Sequence, residues 1–211
     1  MLLVDTAATV SDSSLYASYV GSDFVNEGKQ VAIALAEKLP TGSTILEVLG
    51  TQGAASTIDR EQGFDNELSK VYSSKNFNVV HSSTYCNFDS MTAQTYVASY
   101  LSSNTAPAAI FAEDDEMGLG AIAAITAAEK TPGSDIIVAS INGEKAALQA
   151  VQTGTLYYTF DCNPLQGPTV MIACNEIFAG TLVDTNKTFY MSEQGYYKAD
   201  VTDALISTRT Y

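Results

Sequence analysis

Basic residues are scarce in this chain of 211 residues. Lysine and arginine number 10 against 24 aspartates and glutamates, which leaves a formal net charge of −14. Because binding to a phosphate backbone requires a basic surface, this deficit argues against nucleic acid as a partner. Apolar runs such as Val31–Ala36 fall far short of the ~20 residues that a bilayer-spanning helix needs, so the sequence predicts no transmembrane segment.

Cysteine is also rare, and Cys86, Cys162 and Cys174 show no CxxC spacing. An odd number of cysteines without that spacing argues against a zinc site and against a disulfide framework. We therefore favour free thiols over a Cys162–Cys174 bridge. The start of the chain, Met1–Asp5, has no basic region followed by an apolar one, so we expect this chain to carry no signal peptide.

Short apolar or β-branched runs alternate with longer segments of helical period along nearly the whole chain. This alternation is typical of βαβ units and predicts an α/β fold with a parallel sheet. The predicted strands are Leu2–Asp5, Tyr16–Gly21, Thr44–Leu49, Phe77–Thr84, Ala108–Ala112, Ile136–Ile141 and Leu156–Asp161. The predicted helices are Asp23–Leu39, Ser56–Tyr72, Ser90–Leu101, Asp115–Lys130, Gly143–Thr153, Gly167–Ala179 and Asp200–Ile206, and Ser11–Ser14 is predicted to be a loop.

Polar residues follow the predicted strands, at the edge where open α/β sheets bind ligands. The turn Gly50–Ala54 allows a ligand to approach the backbone, and Arg60 in the next helix can donate a planar fork of hydrogen bonds to vicinal hydroxyls. A surface ion pair of Arg60 with Asp59 or Asp65 is the alternative. The turn has neither the lysine of a P-loop nor the full GxGxxG motif, so no nucleotide cofactor is predicted.

The acidic run Glu113–Glu116 follows one of the predicted strands. Four carboxylates suit a hard cation such as calcium, but adjacent residues do not converge on one point. Helix capping and the helix dipole also explain acids at a helix start, so we favour that interpretation over a metal site. Asp114 remains able to accept hydrogen bonds from a ligand, and Asn142 and Asp161 end two later strands. Such a mixture of donors and acceptors suits a polyol.

The sequence offers little for catalysis. Its one histidine, His81, lies in a predicted strand, and no GxSxG motif accompanies it. The carboxylate pair of a glycosidase needs a separation that sequence does not show. We predict a non-catalytic protein, with an enzyme that uses the acidic edge as the least favoured alternative.

Several segments, in order along the chain, resemble the periplasmic sugar-binding proteins of the ribose and galactose type, and most of all the galactofuranose-binding members. The segments that carry the resemblance are Leu2–Asp5, Ser22–Lys29, Gly53–Ala54, Ile58–Arg60, Gly63–Phe64, Asp114–Met117, Gly120–Ile122, Ile141–Gly143 and Asn163–Pro164. The resemblance implies a three-layer type I fold whose two hinged lobes close on one monosaccharide. It also implies a membrane ABC permease as partner and a periplasmic or secreted location.

The resemblance implies a set of sugar-binding residues at strand ends and in the following loops. They are Asp5, Thr6, Arg60, Asp114, Asn142 and Asp161. Thr6 stands where the family pattern has arginine. Asp114 stands where asparagine is usual, and Asn142 stands where aspartate is usual. These departures rearrange donors and acceptors, so we expect a different sugar preference.

The resemblance also divides the chain into lobes. Residues 23–162 and 191–211 correspond to a complete C-terminal lobe, and residues 1–22 and 163–190 to part of an N-terminal lobe. Roughly the first hundred residues of a full-length member have no counterpart. An incomplete parallel sheet exposes an edge, so we expect a homo-oligomer that covers the partial lobe, or poor packing there, and weakened sugar binding. The alternative function is the effector-binding core of a LacI-type transcription regulator.

Overall fold

The computed structural model describes residues 1–6, 15–182 and 188–211, and the predicted loop Ser11–Ser14 lies outside these ranges. The described residues form two compact units. The larger consists of Phe24–Asp161 and Gln194–Tyr211, and the smaller of Met1–Asp23 and Cys162–Glu193. In the described part of the chain, no helix has the length and apolarity needed to cross a membrane.

Strands and helices alternate along the chain as the sequence predicts, so the α/β prediction is confirmed. The strands are β1 Leu2–Val4, β2 Ser18–Gly21, β3 Thr44–Val48, β4 Asn78–His81, β5 Ala109–Ala112, β6 Ile137–Asn142, β7 Tyr158–Asp161, β8 Thr188–Tyr190 and β9 Gly195–Tyr196. The helices are α1 Phe24–Lys38, α2 Ala55–Lys70, α3 Ser90–Ser103, α4 Asp115–Ala127, α5 Lys145–Thr153, α6 Gly167–Ala179 and α7 Asp203–Thr208.

The larger unit has a six-stranded sheet in the order β4-β3-β5-β6-β7-β9. All of its pairs are parallel except β7 with β9, where Thr159 pairs with Tyr196. The predicted strand Phe77–Thr84 is shorter in the structure, because β4 is an edge strand that pairs only with β3. Periodicity did not reveal the antiparallel edge, since the two residues of β9 are too few to show a pattern.

Helices cover both faces of this sheet. Phe64 of α2 packs on Phe111 of β5 with ring centroids 4.6 Å apart, on the face shared with α1. On the opposite face, alternate strand residues such as Leu46, Ile110 and Val138 join α3, α4, α5 and α7 in one apolar core. The central strands β3, β5 and β6 are therefore buried on both sides, which agrees with their mostly apolar sequences.

The smaller unit contains a parallel three-stranded sheet in the order β1-β2-β8, together with α6. β2 is central and fully buried, whereas Val4 of β1 is exposed. Large apolar side chains of α6 are also exposed, including Met171, Ile172 and Phe178. The three cysteines are free thiols.

Candidate functional site

Arg60 is the centre of a polar cluster in the larger unit. Although it carries a charge, it is only 3% exposed. Its Nε donates to Oε2 of Glu27 at 2.7 Å, and its Nη1 donates to the backbone oxygen of Glu113 at 2.6 Å. Its Nη2 donates to Oδ1 of Asn142 at 3.3 Å. The alternative of a surface ion pair is wrong, because the guanidinium is buried against Glu27 of α1.

Two glycines explain how Arg60 reaches Glu27. A Cβ on Gly28 of α1 would lie 2.0 Å from the backbone oxygen of Arg60, and a Cβ on Gly63 of α2 would lie 1.9 Å from that of Val25. Each helix therefore presents a glycine to the backbone of the other. The resulting close approach holds the buried acid and the arginine side by side, as small residues at helix contacts permit.

Sequence reasoning missed Glu27 as a member of this cluster. It is fully buried, as are Val31 and Leu35 on the same face of α1. The signal was available, because Glu27, Val31 and Leu35 are spaced at i, i+4 and i+8, which places an acid on the apolar stripe of the helix. A buried carboxylate needs a positive partner, and Arg60 supplies it.

The acidic run after β5 sends its side chains in different directions. Asp114 caps α4, since its Oδ1 accepts from the backbone N–H of Met117 at 2.8 Å. Glu113 accepts from the N–H of Gly50 at 2.6 Å, and Glu116 is exposed. The interpretation of this run as a helix start is confirmed.

Asp115 connects α4 to two neighbouring strands and to the start of α5. Its carboxylate accepts from Ser140 Oγ at 2.5 Å, from Thr159 Oγ1 at 2.7 Å and from the backbone N–H of Glu144 at 2.7 Å. Burial nevertheless raises its pKa to about 8. Burial also raises the pKa of Asp114 to about 6, with Arg60 acting in the opposite direction.

Asn142 ends β6 in an unusual backbone conformation, with a φ of 129°. Its Oδ1 accepts from Arg60, and its Nδ2 donates to Oε1 of Glu144 at 3.0 Å. Non-glycine residues with such φ values cost about 1–3 kcal/mol and are concentrated at functional sites. The cluster of Arg60, Asp114 and Asn142 thus presents a cation, an acid and an amide at the carboxyl ends of β5 and β6.

Asp161, at the end of β7, is engaged with the C-terminal part of the larger unit. One carboxylate oxygen accepts from Tyr196 Oη at 2.8 Å, and the other accepts from Arg209 Nη1 at 2.9 Å. Burial raises the pKa of Asp161, and Tyr196 and Arg209 act against that rise. The structure therefore provides Asp161 with two protein partners of its own.

Asp5 and Thr6 belong to the smaller unit and are exposed. Asp5 has a φ of 71° at the end of β1, and its Oδ1 accepts from Gln166 Nε2 at 3.0 Å. Thr6 Oγ1 lies 3.4 Å from Asp5 Oδ2. Of the predicted site residues, the structure brings Arg60 and Asn142 into direct contact and places Asp114 close enough to Arg60 for their charges to interact.

The comparisons with known proteins agree with this fold. Residues 2–172 match the periplasmic binding protein domain, and the chain belongs to that family. The chain is 32% identical over 165 residues to the ribose import binding protein of Bacillus subtilis, covering 78% of this chain and 51% of that protein. It is 28% identical over 173 residues to the galactofuranose-binding protein of Escherichia coli, covering 80% and 53%.

A solved structure gives the same result. The chain superposes on the periplasmic binding protein component of the arabinose ABC transporter from Shewanella sp. ANA-3, solved with α- and β-L-arabinofuranose. The TM-score is 0.88 at 27% identity, and the match covers 99% of this chain and 68% of that one. The chain therefore spans about half the length of the two relatives above and about two thirds of this structure.

Proposed function

We propose that this chain is the sugar-binding portion of a substrate-binding protein that serves an ABC importer. One observation carries the proposal. The guanidinium of Arg60 is held between Glu27 and the backbone of Glu113, and it touches Asn142 at the carboxyl edge of the sheet. Strand ends of open α/β sheets are where such folds bind ligands, and a preoriented planar donor suits a pair of hydroxyls.

The ligand class follows from the mixture of groups around Arg60. A monosaccharide offers hydroxyls that both donate and accept, and the cluster supplies a donor in Arg60, an acceptor in Asp114 and both kinds of group in the amide of Asn142. The hydrogen bond from Arg60 to Asn142 is the longest of the three at 3.3 Å. It is thus the contact that a sugar hydroxyl displaces at least cost.

We further propose that the sugar is a monosaccharide in its furanose form. The galactofuranose-binding relative and the arabinofuranose-bound structure support this choice. The exchange of acid and amide at Asp114 and Asn142 rearranges donors and acceptors relative to the family pattern. Thr6 lacks the charge of the arginine it replaces. We therefore expect a preference that differs from that of the relatives, and weaker binding.

The assignment of lobes, partner and location belongs to the same proposal. The larger unit is assigned as the complete lobe, corresponding to residues 23–162 and 191–211, and the smaller unit as part of the other lobe. The partner is a membrane permease and the location is periplasmic, as the names of the family and of the arabinose ABC transporter component support. These relatives are named as binding proteins and not as enzymes, which agrees with a non-catalytic role and does not favour a transcription regulator.

The proposed sugar contacts differ in strength of support. Arg60, Asp114 and Asn142 are the primary contacts. Asp5 and Thr6 remain predictions from the resemblance. Asp161 is the weakest candidate, because Tyr196 and Arg209 already occupy its carboxylate oxygens.

Asp114→Asn tests the site while keeping the role of residue 114 as the cap of α4. Asparagine caps a helix as well as aspartate does, so α4 remains capped while an acceptor for sugar hydroxyls becomes partly a donor. Calorimetric titrations with L-arabinose, galactose, ribose and fructose should identify at least one sugar that binds the parent chain. That sugar should bind at least about tenfold more weakly to the variant, since losing a buried charged hydrogen bond costs about 1.5–3 kcal/mol.

Asp89→Asn is the matched control. Asp89 caps α3 through the same contact, accepting from the N–H of Thr92 at 2.7 Å, and it lies outside the cluster. Sugar affinity should be unchanged in this variant. Equal affinities of the parent chain and Asp114→Asn would remove Asp114 from the site, and an absence of heat with every sugar would contradict the proposed function.

A further inference from the structure

A second group of titratable side chains lies on the larger unit, next to the Arg60 cluster but sharing no residue with it. Glu47 of β3 and His81 of β4 are paired in register, so their side chains leave the sheet on the same face. Nδ1 of His81 lies 2.8 Å from Oε2 of Glu47. The parallel pairing of the two strands therefore fixes an imidazole beside a carboxylate.

Helix α2 adds two more acids over this pair. Nε2 of His81 lies 3.5 Å from Oδ2 of Asp65, and Nδ1 lies 3.8 Å from Oε1 of Glu61. Glu61 and Asp65 are one helical turn apart, a spacing at which like charges repel and destabilise an isolated helix. Three carboxylates thus surround one imidazole, and even a protonated His81 leaves the group negatively charged.

The buried carboxylate of Glu47 is the observation that points to a ligand. Glu47 is fully buried, and within the described structure neither of its oxygens receives an aligned hydrogen bond. Its Oε2 lies 2.8 Å from Nδ1 of His81, which is its one close polar partner, and its Oε1 has none within the described structure. A buried acid without aligned donors costs free energy that a bound cation would recover.

We propose that Glu47, Asp65 and His81 form a binding site for a divalent transition-metal ion of the zinc class, with Glu61 as the fourth ligand. The ligand atoms of the first three residues all lie within 4.8 Å of one another. Tetrahedral zinc with ligands at about 2.0–2.2 Å separates neighbouring ligand atoms by roughly 3.4 Å. With Nδ1 of His81 as the ligand atom, its distances of 2.8 Å to Glu47 Oε2 and 3.8 Å to Glu61 Oε1 lie on either side of that value.

The ligand types and the access route both suit this ion. One imidazole with carboxylates favours zinc and its neighbours over calcium and magnesium, which prefer oxygen ligands alone. His81 is 35% exposed at its side chain, and a surface cleft of about 510 Å³ opens beside it, with Asp65 and Tyr72 in its lining. An ion can therefore reach Asp65 and His81 from solvent, and Glu47 lies directly behind His81. None of the three thiols is part of the group.

The test is calorimetric titration of the full chain with zinc sulfate, after treatment with EDTA and desalting. We expect one zinc ion per chain and no comparable binding of calcium or magnesium. His81→Gln should weaken zinc binding by at least tenfold, and Glu47→Gln should do the same. Circular dichroism establishes that each variant is folded, and because His81 is partly exposed its variant decides the outcome if Glu47→Gln does not fold.

Glu37→Gln is the matched control, since Glu37 is an exposed acid on α1 outside the group. It should bind zinc as the parent chain does. Cobalt(II) in place of zinc separates this site from adventitious binding by cysteine, because thiolate ligands produce strong near-ultraviolet charge-transfer absorption. The proposal is overturned by a parent chain that binds no zinc, by unchanged affinity in His81→Gln, or by a strong thiolate band.

Discussion

Glu113 lies at the end of β5 with its side chain fully buried, and it has one clear hydrogen-bond partner. Its Oε2 accepts from the N–H of Gly50, whereas Oε1 has no partner within the described structure. Burial, with a smaller effect of nearby Glu47, raises its pKa to about 9, so the folded protein holds Glu113 as a neutral acid at pH 7. In that form it acts as an acceptor for the turn that precedes α2.

A neutral Glu113 should tolerate replacement by its neutral isostere. Glu113→Gln keeps an oxygen for the N–H of Gly50, so the free energy of unfolding at pH 7 should change by less than about 1 kcal/mol. Glu113→Ala leaves that N–H unsatisfied and should cost about 1–3 kcal/mol. Urea denaturation measures both. If the glutamine variant loses as much stability as the alanine variant, the charged form is required and the assignment is wrong.

The sequence predicted some of these side chains and missed others. Arg60, Asp114 and Asn142 stand next to strand ends or glycine turns, which the local pattern of the sequence identifies. Glu27 carries a weaker local signal, an acid on an apolar stripe. The pairing of Glu47 with His81 has no local signal, because it depends on which residues of β3 and β4 stand opposite each other.

Helices α1 and α2 connect the fold to the candidate site. Gly28 and Gly63 allow their backbones to approach, and that approach places the ion pair of Glu27 with Arg60. The periodicity of the sequence predicted both helices to within one or two residues. It did not predict their crossing, because the stripe of a helix defines a buried face without defining the partner.

Gly63→Ala should disturb both stability and binding. The added Cβ would stand 1.9 Å from the backbone oxygen of Val25, and backbone atoms cannot move aside as a side chain can. Overpacking of this kind costs about 1–3 kcal/mol or more, and displacement of α2 should also weaken the proposed sugar binding by moving Arg60. Thermal unfolding and calorimetry measure the two effects.

The neighbouring Gln62→Ala serves as the control for Gly63→Ala. Gln62 is exposed on the same helix, and alanine has the highest helix propensity, so its stability should be equal to or slightly above that of the parent. Parent-like stability of Gly63→Ala would mean that the helices are not in the close contact described.

Buried carboxyl groups give the molecule an unusual dependence on pH. Burial raises the pKa of Asp114 to about 6, of Asp115 to about 8 and of Glu113 to about 9, whereas all three have ordinary values of about 4 when unfolded. At a pH between the unfolded pKa of about 4 and the folded pKa of a given group, the folded state binds more protons than the unfolded state. By linkage, the contribution of these three groups to the free energy of unfolding is fully present below about pH 4 and is lost as the pH rises through each folded pKa.

We therefore expect the melting temperature to fall from about pH 5 to about pH 9. The net charge of −14 adds repulsion in the same direction, but salt screens charges on the surface and leaves buried groups almost unaffected. The decline should persist in 0.5 M sodium chloride and become shallower in Glu113→Gln. A melting temperature that rises across this range would contradict the proposed protonation states.

The alternation of strands and helices and the family were accessible from the sequence, because they depend on local periodicity and on short segments in a fixed order. The contacts of Arg60 with Glu27, of His81 with Glu47 and of Asp161 with Arg209 were not. Each joins residues about 30 or more positions apart. Strand register, helix crossing and the antiparallel docking of β9 bring them together, and these depend on how whole elements pack, which no local pattern encodes.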